Sequence, residues 1–280
     1  MLLPVRAGKV PAGSDTLFAA FEHVIDDWVE RCPGDSFQYY HVGSAAVPEM
    51  EEWERFCSDA NRGLLAGAIN LMTVPPLEVQ RRLADFPYVV ISLKREDMQH
   101  NSPDIEFDMA EMFRKQLELL ISKGCRNIAV LLNDNMSIAK NLAILNIAEQ
   151  CPVNCPRRWI QGMNLTHTRT LFYDNLLELM FSRDQEHVPD GLVVQNENFL
   201  PAVLNALGRL GIIPGEQVKI VSHGNLPVVR PQTAGVDYTY FRIDRVLAEA
   251  IGLLKRWKAG LLHDRRIDLL IPPSNDVTYR

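Results

Sequence analysis

Apolar residues are distributed along the chain in two alternating patterns. Short continuous apolar runs, such as 128–132 and 192–194, are typical of strands that are buried on both faces. Between these runs, apolar residues recur every three or four positions, as over 200–210, which predicts amphipathic helices. Strand and helix alternate throughout, so we predict an α/β fold with about ten strands and seven or eight helices. A length of 280 residues favours two parallel sheets over one.

Polar side chains stand where the predicted strands end. In open parallel sheets, ligands bind beyond the carboxyl ends of the strands, so these positions should line one crevice. Strands that end at 71, 93, 132, 194 and 221 would bring five polar side chains there, namely Asn70, Lys94, Asn133, Asn196 and His223. Amides and a cation suit a neutral, hydroxyl-rich ligand, because an amide can donate to one hydroxyl and accept from another.

Three polar candidates also stand at predicted helix starts. Asn196 and Glu197 could cap the helix that begins near residue 199, and Asp108 could cap the helix that begins at 110. Capping and ligand binding are compatible, since a cap beside a crevice is also positioned to touch a ligand. Both roles therefore stay open for these residues.

Charge and cysteine content narrow the class of protein. With 29 basic against 35 acidic residues, the net charge is −6, so we expect the chain by itself to bind duplex DNA only weakly. No apolar run reaches the length of a membrane span, and the first residues lack the apolar region of a secretory signal, which favours a cytoplasmic protein. The five cysteines are an odd number without framework spacing, which predicts reduced thiols.

The sequence lacks motifs for metal, cofactor or catalytic chemistry. Cys151 and Cys155 have no second Cys/His pair nearby to complete a tetrahedral site, so we predict neither a metal nor a cofactor. There is no nucleophile elbow and no glycine-rich phosphate loop, which argues against an enzyme. Paired carboxylates of the glycosidase type stay open, because any two acidic residues could meet in the fold.

Several segments together resemble the LacI/GalR family of transcriptional regulators. Asp108 precedes a helix that continues as Gly-Cys-Arg-Asn-Ile-Ala, which is similar to the family's Gly-His-Arg-Arg-Ile-Ala. The segment 211–221 resembles the family's Gly-x-x-x-Pro-x-Asp-Val-x-Val-Val, and Asn196-Glu197 stands where the family has an Asn-Asp pair. The end of the chain resembles the closing strand of the family with its late arginine, here Arg280. The resemblance covers nearly the whole chain.

The resemblance implies a two-lobed periplasmic-binding-protein-like fold, in which each lobe is a parallel sheet flanked by helices. Three crossovers would join the lobes, near Phe107, Val236 and Asp268. The expected N-terminal lobe is 1–106 plus 238–266, and the expected C-terminal lobe is 107–237 plus 267–280. A small ligand, usually a sugar or a nucleoside, would lie in the cleft.

Two ligand-binding positions depart from the family pattern. The helix after the strand at 128–132 lacks the family's arginine and offers Lys140 instead. The family's Gly-Phe-Asp-Asp reads Ser-His-Gly-Asn here, over 222–225, so the ligand-binding aspartate of the family is replaced. We therefore expect the sugar contacts to be rebuilt from Lys140, His223 and Asn225, and the ligand to be an unusual sugar or sugar derivative.

These features predict the effector-binding and dimerisation domain of a cytoplasmic LacI/GalR-like transcriptional regulator. Its partners would be a sugar-like effector, a second copy of the chain, and DNA through a reader domain that this chain does not contain; no membrane contact is expected. Trp53 and Phe56 on outer helices are candidate dimer-interface residues. The alternative is a free-standing sugar-binding protein of the periplasmic transport type.

Overall fold

A computed structural model describes most of the chain. The described residues are 1–3, 15–43, 48–72, 75–92, 102–133, 138–163, 170–182, 184–228, 234–262 and 268–274. Two residues named above, Lys94 and Arg280, lie outside these ranges.

Strands and helices alternate along the described residues, which confirms the predicted α/β class. In chain order they are β1 (Leu2–Leu3), α1 (Asp15–Arg31), β2 (Tyr40–His41), α2 (Met50–Asn61), β3 (Ala68–Leu71), α3 (Leu77–Arg82), β4 (Tyr88–Ser92), β5 (Asp104–Phe107), α4 (Met109–Ser122), β6 (Ile128–Asn133), α5 (Ile138–Glu149), β7 (Ile160–Met163), α6 (Thr170–Met180), β8 (Gly191–Val194), α7 (Leu200–Arg209), β9 (Lys219–Leu226), β10 (Val236–Arg242), α8 (Ile243–Lys258) and β11 (Asp268–Ile271). None of these described helices is both long and apolar enough to cross a membrane.

The chain divides into two compact units. Unit 1 consists of Met1–Pro11, Phe18–Phe107 and Arg242–Ile271. Unit 2 consists of Ala12–Leu17, Asp108–Phe241 and Pro272–Arg280. Each unit has its own parallel sheet and its own apolar core, as two sheets in one chain require.

The sheet of unit 1 has six strands in the order β11-β5-β4-β3-β1-β2. Every pair in it with a resolved register is parallel. Its inner strands β3 and β4 are buried at every position, which explains why their sequences are nearly continuous apolar runs.

Aromatic side chains form the centre of the unit 1 core. Phe56 contacts Tyr40, Trp53 and Phe86 edge to face, with ring centroids 5.3, 6.1 and 5.7 Å away. Trp53 and Phe56 are each only 1% exposed within the single chain. The expectation that these two residues form a dimer interface is therefore wrong, because their rings are already enclosed by their own unit.

Strand β11 belongs to unit 1, although the sequence analysis placed 267–280 in the C-terminal lobe. Asp268–Ile271 pair in parallel with Asp104–Phe107 over four positions. This pairing satisfies main-chain groups that β5 would otherwise expose as an edge strand. The chain changes unit after β11, between Ile271 and Pro272.

The sheet of unit 2 has five strands in the order β10-β9-β8-β6-β7. Helix α4 packs on it through a buried stripe at three- and four-residue spacing that includes Met112, Phe113 and Leu117. Asp108 is the N-cap residue just before this helix, and its carboxylate accepts a hydrogen bond from the Glu111 N–H at 2.9 Å. The predicted capping role of Asp108 is thus confirmed.

Candidate functional site

The carboxyl ends of β6, β8 and β9 lie side by side in unit 2. In the parallel register, Leu131 of β6 pairs with Val194 of β8, and Val194 pairs with Ser222 of β9. The residues that follow these positions therefore share one edge of the sheet, which we call the polar edge. It contains five of the predicted site residues: Asn133, Asn196, Glu197, His223 and Asn225.

Gln195 connects the three strands of the polar edge. Its side chain is fully buried, and its Oε1 accepts a hydrogen bond from the Asn133 N–H at 3.0 Å. Its own N–H donates to the Leu131 carbonyl at 2.9 Å. The Nε2 donor has no partner among the described residues, and a buried amide donor of this kind calls for an ordered water or a ligand oxygen. Gln195 is the first polar residue after the apolar run of β8 and belongs to the polar strand end that the sequence predicts, but it was not selected there as a ligand-binding residue.

His223 is held by the main chain of the neighbouring strand. Its Nδ1 lies in a short contact with the carbonyl oxygen of Gln195. Because a carbonyl only accepts, Nδ1 must carry the proton, and in the neutral ring Nε2 is then the acceptor nitrogen. The ring also meets Phe241 edge to face at 6.3 Å between centroids. These contacts orient the imidazole at the polar edge.

Glu197 is a buried carboxylate at the polar edge. Its side chain is 1% exposed, and Oε1 accepts a hydrogen bond from Asn225 Nδ2 at 3.3 Å. Burial raises the pKa of the nearby Tyr240 hydroxyl, and the charges of Tyr238 and Glu197 raise it further. The polar edge therefore offers a carboxylate that accepts hydrogen bonds and amides that donate them. Together these groups can bind both the hydrogen and the oxygen of a ligand hydroxyl.

Asn196 has the capping role that the sequence left open. Its Oδ1 accepts a hydrogen bond from the Asn198 N–H at 3.0 Å, and so caps the short 3-10 helix Glu197–Phe199. Only the acceptor half of the amide is used in this bond. The NH2 group remains a chemically distinct donor, so capping leaves room for a ligand contact.

A pair of tyrosine rings packs against Gly224 of β9. A Cβ built on Gly224 would lie 3.0 Å from Cδ1 and Cε1 of Tyr240. Tyr240 in turn stacks on Tyr238, with ring centroids 6.1 Å apart. A side chain at position 224 would displace the Tyr240 ring, so glycine allows the tyrosine pair to pack against β9.

Four predicted site residues do not belong to the polar edge as defined above: Asp108, which caps α4, and Lys140, Asn70 and Lys94. Lys140 is a partly buried residue of α5 in unit 2. Asn70 belongs to β3 of unit 1, is fully buried, and both of its amide atoms lack a partner among the described residues. Lys94 lies outside the described residues, so its predicted role is unchanged.

The five cysteines are all free thiols. Among the described residues, no group of three or more His, Cys, Asp or Glu is placed to hold a metal ion. Burial, together with the smaller effect of the negative charge of Asp190, raises the pKa of Cys125 to about 11. Burial, together with the smaller effect of the charge of Cys151, raises the pKa of Cys155 to about 12. Such thiols are poor nucleophiles at neutral pH.

We expect Cys155 and Cys125 to be alkylated far more slowly than the partly exposed Cys151 and Cys32. Iodoacetamide at about pH 8, followed by peptide mapping, should show a difference on the order of a hundredfold, because only the thiolate reacts. Equal rates at Cys151 and Cys155 would contradict the burial of Cys155.

The raised pKa values of these two thiols also predict a pH dependence of stability. Folding raises the pKa values of the Cys125 and Cys155 thiols above the ordinary 9.0. The contribution of these protonated thiols to the free energy of unfolding is therefore complete below pH 9.0, and it is lost as pH rises through about 11 to 12.

Solved structures of similar fold match nearly the whole chain. A regulatory protein of the LacI family from Chloroflexus aggregans has a TM-score of 0.72 at 16% identity, over 98% of this chain and 95% of that one. A LacI family transcriptional regulator from Arthrobacter sp. FB24, in complex with lactose, has a TM-score of 0.71 at 14% identity, over 98% and 96%. This chain has the LacI-type fold.

The LacI-type fold is the one that the sequence resemblance implied. A third similar structure, the transcriptional regulator CelR in complex with cellobiose, has a TM-score of 0.71 at 14% identity and covers 98% of this chain and 81% of that one. No protein-family model and no curated protein sequence matches the chain. All three similar structures are transcriptional regulators.

Proposed function

We propose that this chain is the effector-binding and dimerisation domain of a LacI/GalR-like transcriptional regulator, and that its effector is a sugar or sugar derivative. The observation that carries the proposal is the polar edge of unit 2. There, amides, an imidazole and a carboxylate converge at the carboxyl ends of β6, β8 and β9, within a LacI-type fold. Two regulators of similar fold are in complexes with lactose and cellobiose, which supports a sugar as the ligand class.

The chemistry of the polar edge supports a neutral polyhydroxylated ligand. Each hydroxyl of such a ligand both donates and accepts, and the edge offers the Gln195 and Asn196 NH2 groups as donors and the Glu197 carboxylate as an acceptor. The tyrosine pair at Tyr238 and Tyr240 adds an apolar surface of the kind on which sugar rings pack. A ligand with a sugar ring and few charges fits these groups best.

Dimerisation and DNA binding complete the proposal. A DNA operator with two-fold symmetry is bound by a protein with the same symmetry, which supports a homodimer. The net charge of −6 argues against DNA binding by this chain itself. DNA would be contacted through a reader domain outside these 280 residues. A regulator of this kind acts in the cytoplasm.

A thermal-shift screen with mono- and oligosaccharides, sugar acids and nucleosides tests the ligand class. A ligand present at a hundred times its Kd should add about 2.7 kcal/mol to the free energy of unfolding. We expect a hit among the sugars or their derivatives, and we expect Asn196→Ala to abolish it. A screen in which only nucleosides stabilise the protein would contradict the proposed ligand class.

Asn196→Ser separates ligand binding from helix capping. Serine caps about as well as asparagine but has no NH2 donor, so the unliganded Tm should stay near wild type while affinity falls about tenfold. Asn196→Ala should also lose about 1 kcal/mol of stability, because it removes the cap. A hit that survives both Asn196→Ala and His223→Ala would place the ligand away from the polar edge.

A further inference from the structure

We propose that unit 1 carries a second small-molecule site, which takes an amphipathic organic anion such as a medium-chain carboxylate. The site is a cavity of about 490 Å³, inside the range of small-molecule pockets. Its lining includes residues just before β2 and at the start of β3, together with the last turns of α8. It therefore lies at the amino-terminal edge of the unit 1 sheet, whereas ligands of open α/β sheets bind at the carboxyl edge.

The inner part of this cavity is apolar. Phe56, Ile69 and Ile251 are 1%, 3% and 8% exposed and form its floor. Leu254 of α8 forms a wall close to the sheet, since a Cβ built on Gly67 would lie 3.0 Å from Leu254 Cδ2. These side chains are hydrocarbon, and the Met1 amine, which also lines the cavity, already donates to the Gln38 carbonyl, so this part of the cavity favours the hydrocarbon part of a ligand.

The rim of the cavity has an excess of positive charge. Lys255 and Lys258 lie three residues apart on α8, and both line the cavity. Among the described residues of the lining, Asp35 is the only acidic one. It accepts a hydrogen bond from Trp28 Nε1 at 2.9 Å, and its Oδ2 is 3.7 Å from Lys255 Nζ. Lys258 belongs to none of the ion pairs among the described residues. An anionic head group would match this surplus charge above an apolar floor.

A chain-length series on the intact protein tests the apolar floor. Hexanoate, octanoate and decanoate, each kept below its micelle concentration, are titrated by isothermal calorimetry, with decanol as the neutral control. Each added methylene should tighten binding about fourfold, because burying one methylene contributes about 0.8 kcal/mol. Decanol should bind more weakly than decanoate. The absence of decanoate binding, or an equal affinity for decanol, would overturn the proposal.

Matched variants test the rim. Lys258→Gln should weaken decanoate binding about two- to fivefold, as expected for an exposed charge pair. Arg256→Gln removes the same charge from the same turn of α8 but lies outside the cavity lining, so it should leave the affinity unchanged. Equal effects of the two variants would show that net charge, and not this site, attracts the anion.

Leu65, another lining residue, allows a second matched pair of variants, Leu65→Asp and Leu65→Asn, whose new side chains are nearly equal in size. Both lose an apolar contact, but only the aspartate repels a carboxylate, so decanoate should bind the Asp variant more weakly than the Asn variant. Far-UV circular dichroism checks that both are folded; if they are not, the Lys258 and Arg256 pair decides. Asn196→Ser lies in unit 2 and should leave decanoate binding intact. Loss of decanoate binding in Asn196→Ser would place the anion at the polar edge and overturn the second site.

Discussion

Replacing Gly235 by alanine should lower the free energy of unfolding by about 4 kcal/mol or more. Gly235 has a φ of +81°, and a Cβ built on it would lie 2.3 Å from the carbonyl carbon of Pro214 and 2.4 Å from the nitrogen of Gly215. Both contacts are with main chain, which cannot rotate away as a side chain can. The turn at Pro214–Gly215 or the start of β10 would have to move, and β10 lies next to β9, which carries His223 and Asn225.

Gly211→Ala is the matched control for Gly235→Ala. Gly211 has a similar φ of +70°, but no atom lies within 4 Å of the Cβ that alanine would add. Gly211→Ala should therefore lower the free energy of unfolding only by the strain of a left-handed backbone, roughly 1–2 kcal/mol. Urea unfolding followed by circular dichroism measures both variants. Equal losses would mean that Gly215 and Gly235 do not approach each other as closely as described.

Trp53→Ala should lower the free energy of unfolding by about 3–5 kcal/mol. Trp53 is 1% exposed and meets Phe56 edge to face at 6.1 Å, so its removal leaves a cavity beside the Phe56 ring in the unit 1 core. The neighbouring rings are held by the strands and by α2, and cannot collapse fully into the space.

Met50→Ala is the control for Trp53→Ala. Met50 lies in the same helix but is 41% exposed, so its truncation should change stability by no more than about 0.5 kcal/mol. Light scattering of Trp53→Ala at low temperature adds a second readout. A variant that stays as stable as wild type but loses dimerisation would restore Trp53 to the interface and contradict the core placement.

Much of the fold could be predicted because each element follows from a local pattern. The apolar run at 128–132 became β6 (Ile128–Asn133), and the helical spacing over 200–210 became α7 (Leu200–Arg209). Local pattern could not place β11, because its apolar residues suit either sheet. Four parallel pairs with β5, more than 160 positions earlier in the chain, assign it to unit 1.

Part of the polar edge could also be predicted. The strand-end rule needs only the order of the elements, and three of the residues it selected, Asn133, Asn196 and His223, lie on one edge of a sheet. The rule could not identify Gln195 as the residue that joins the strands. Its bond to the Asn133 N–H spans 62 positions, and such a bond depends on which strands are neighbours.

Short-range periodicity alone thus established the alternation of strand and helix, the class of the fold and the polar character of the strand ends, because these depend on residues a few positions apart. The tertiary structure decided which of those polar groups meet. The contact of Asn225 with Glu197 and the approach of Tyr240 to Gly224 arise only when separate strands become adjacent. It also decided that Trp53 is core rather than surface, because burial depends on what covers a helix and not on the helix itself.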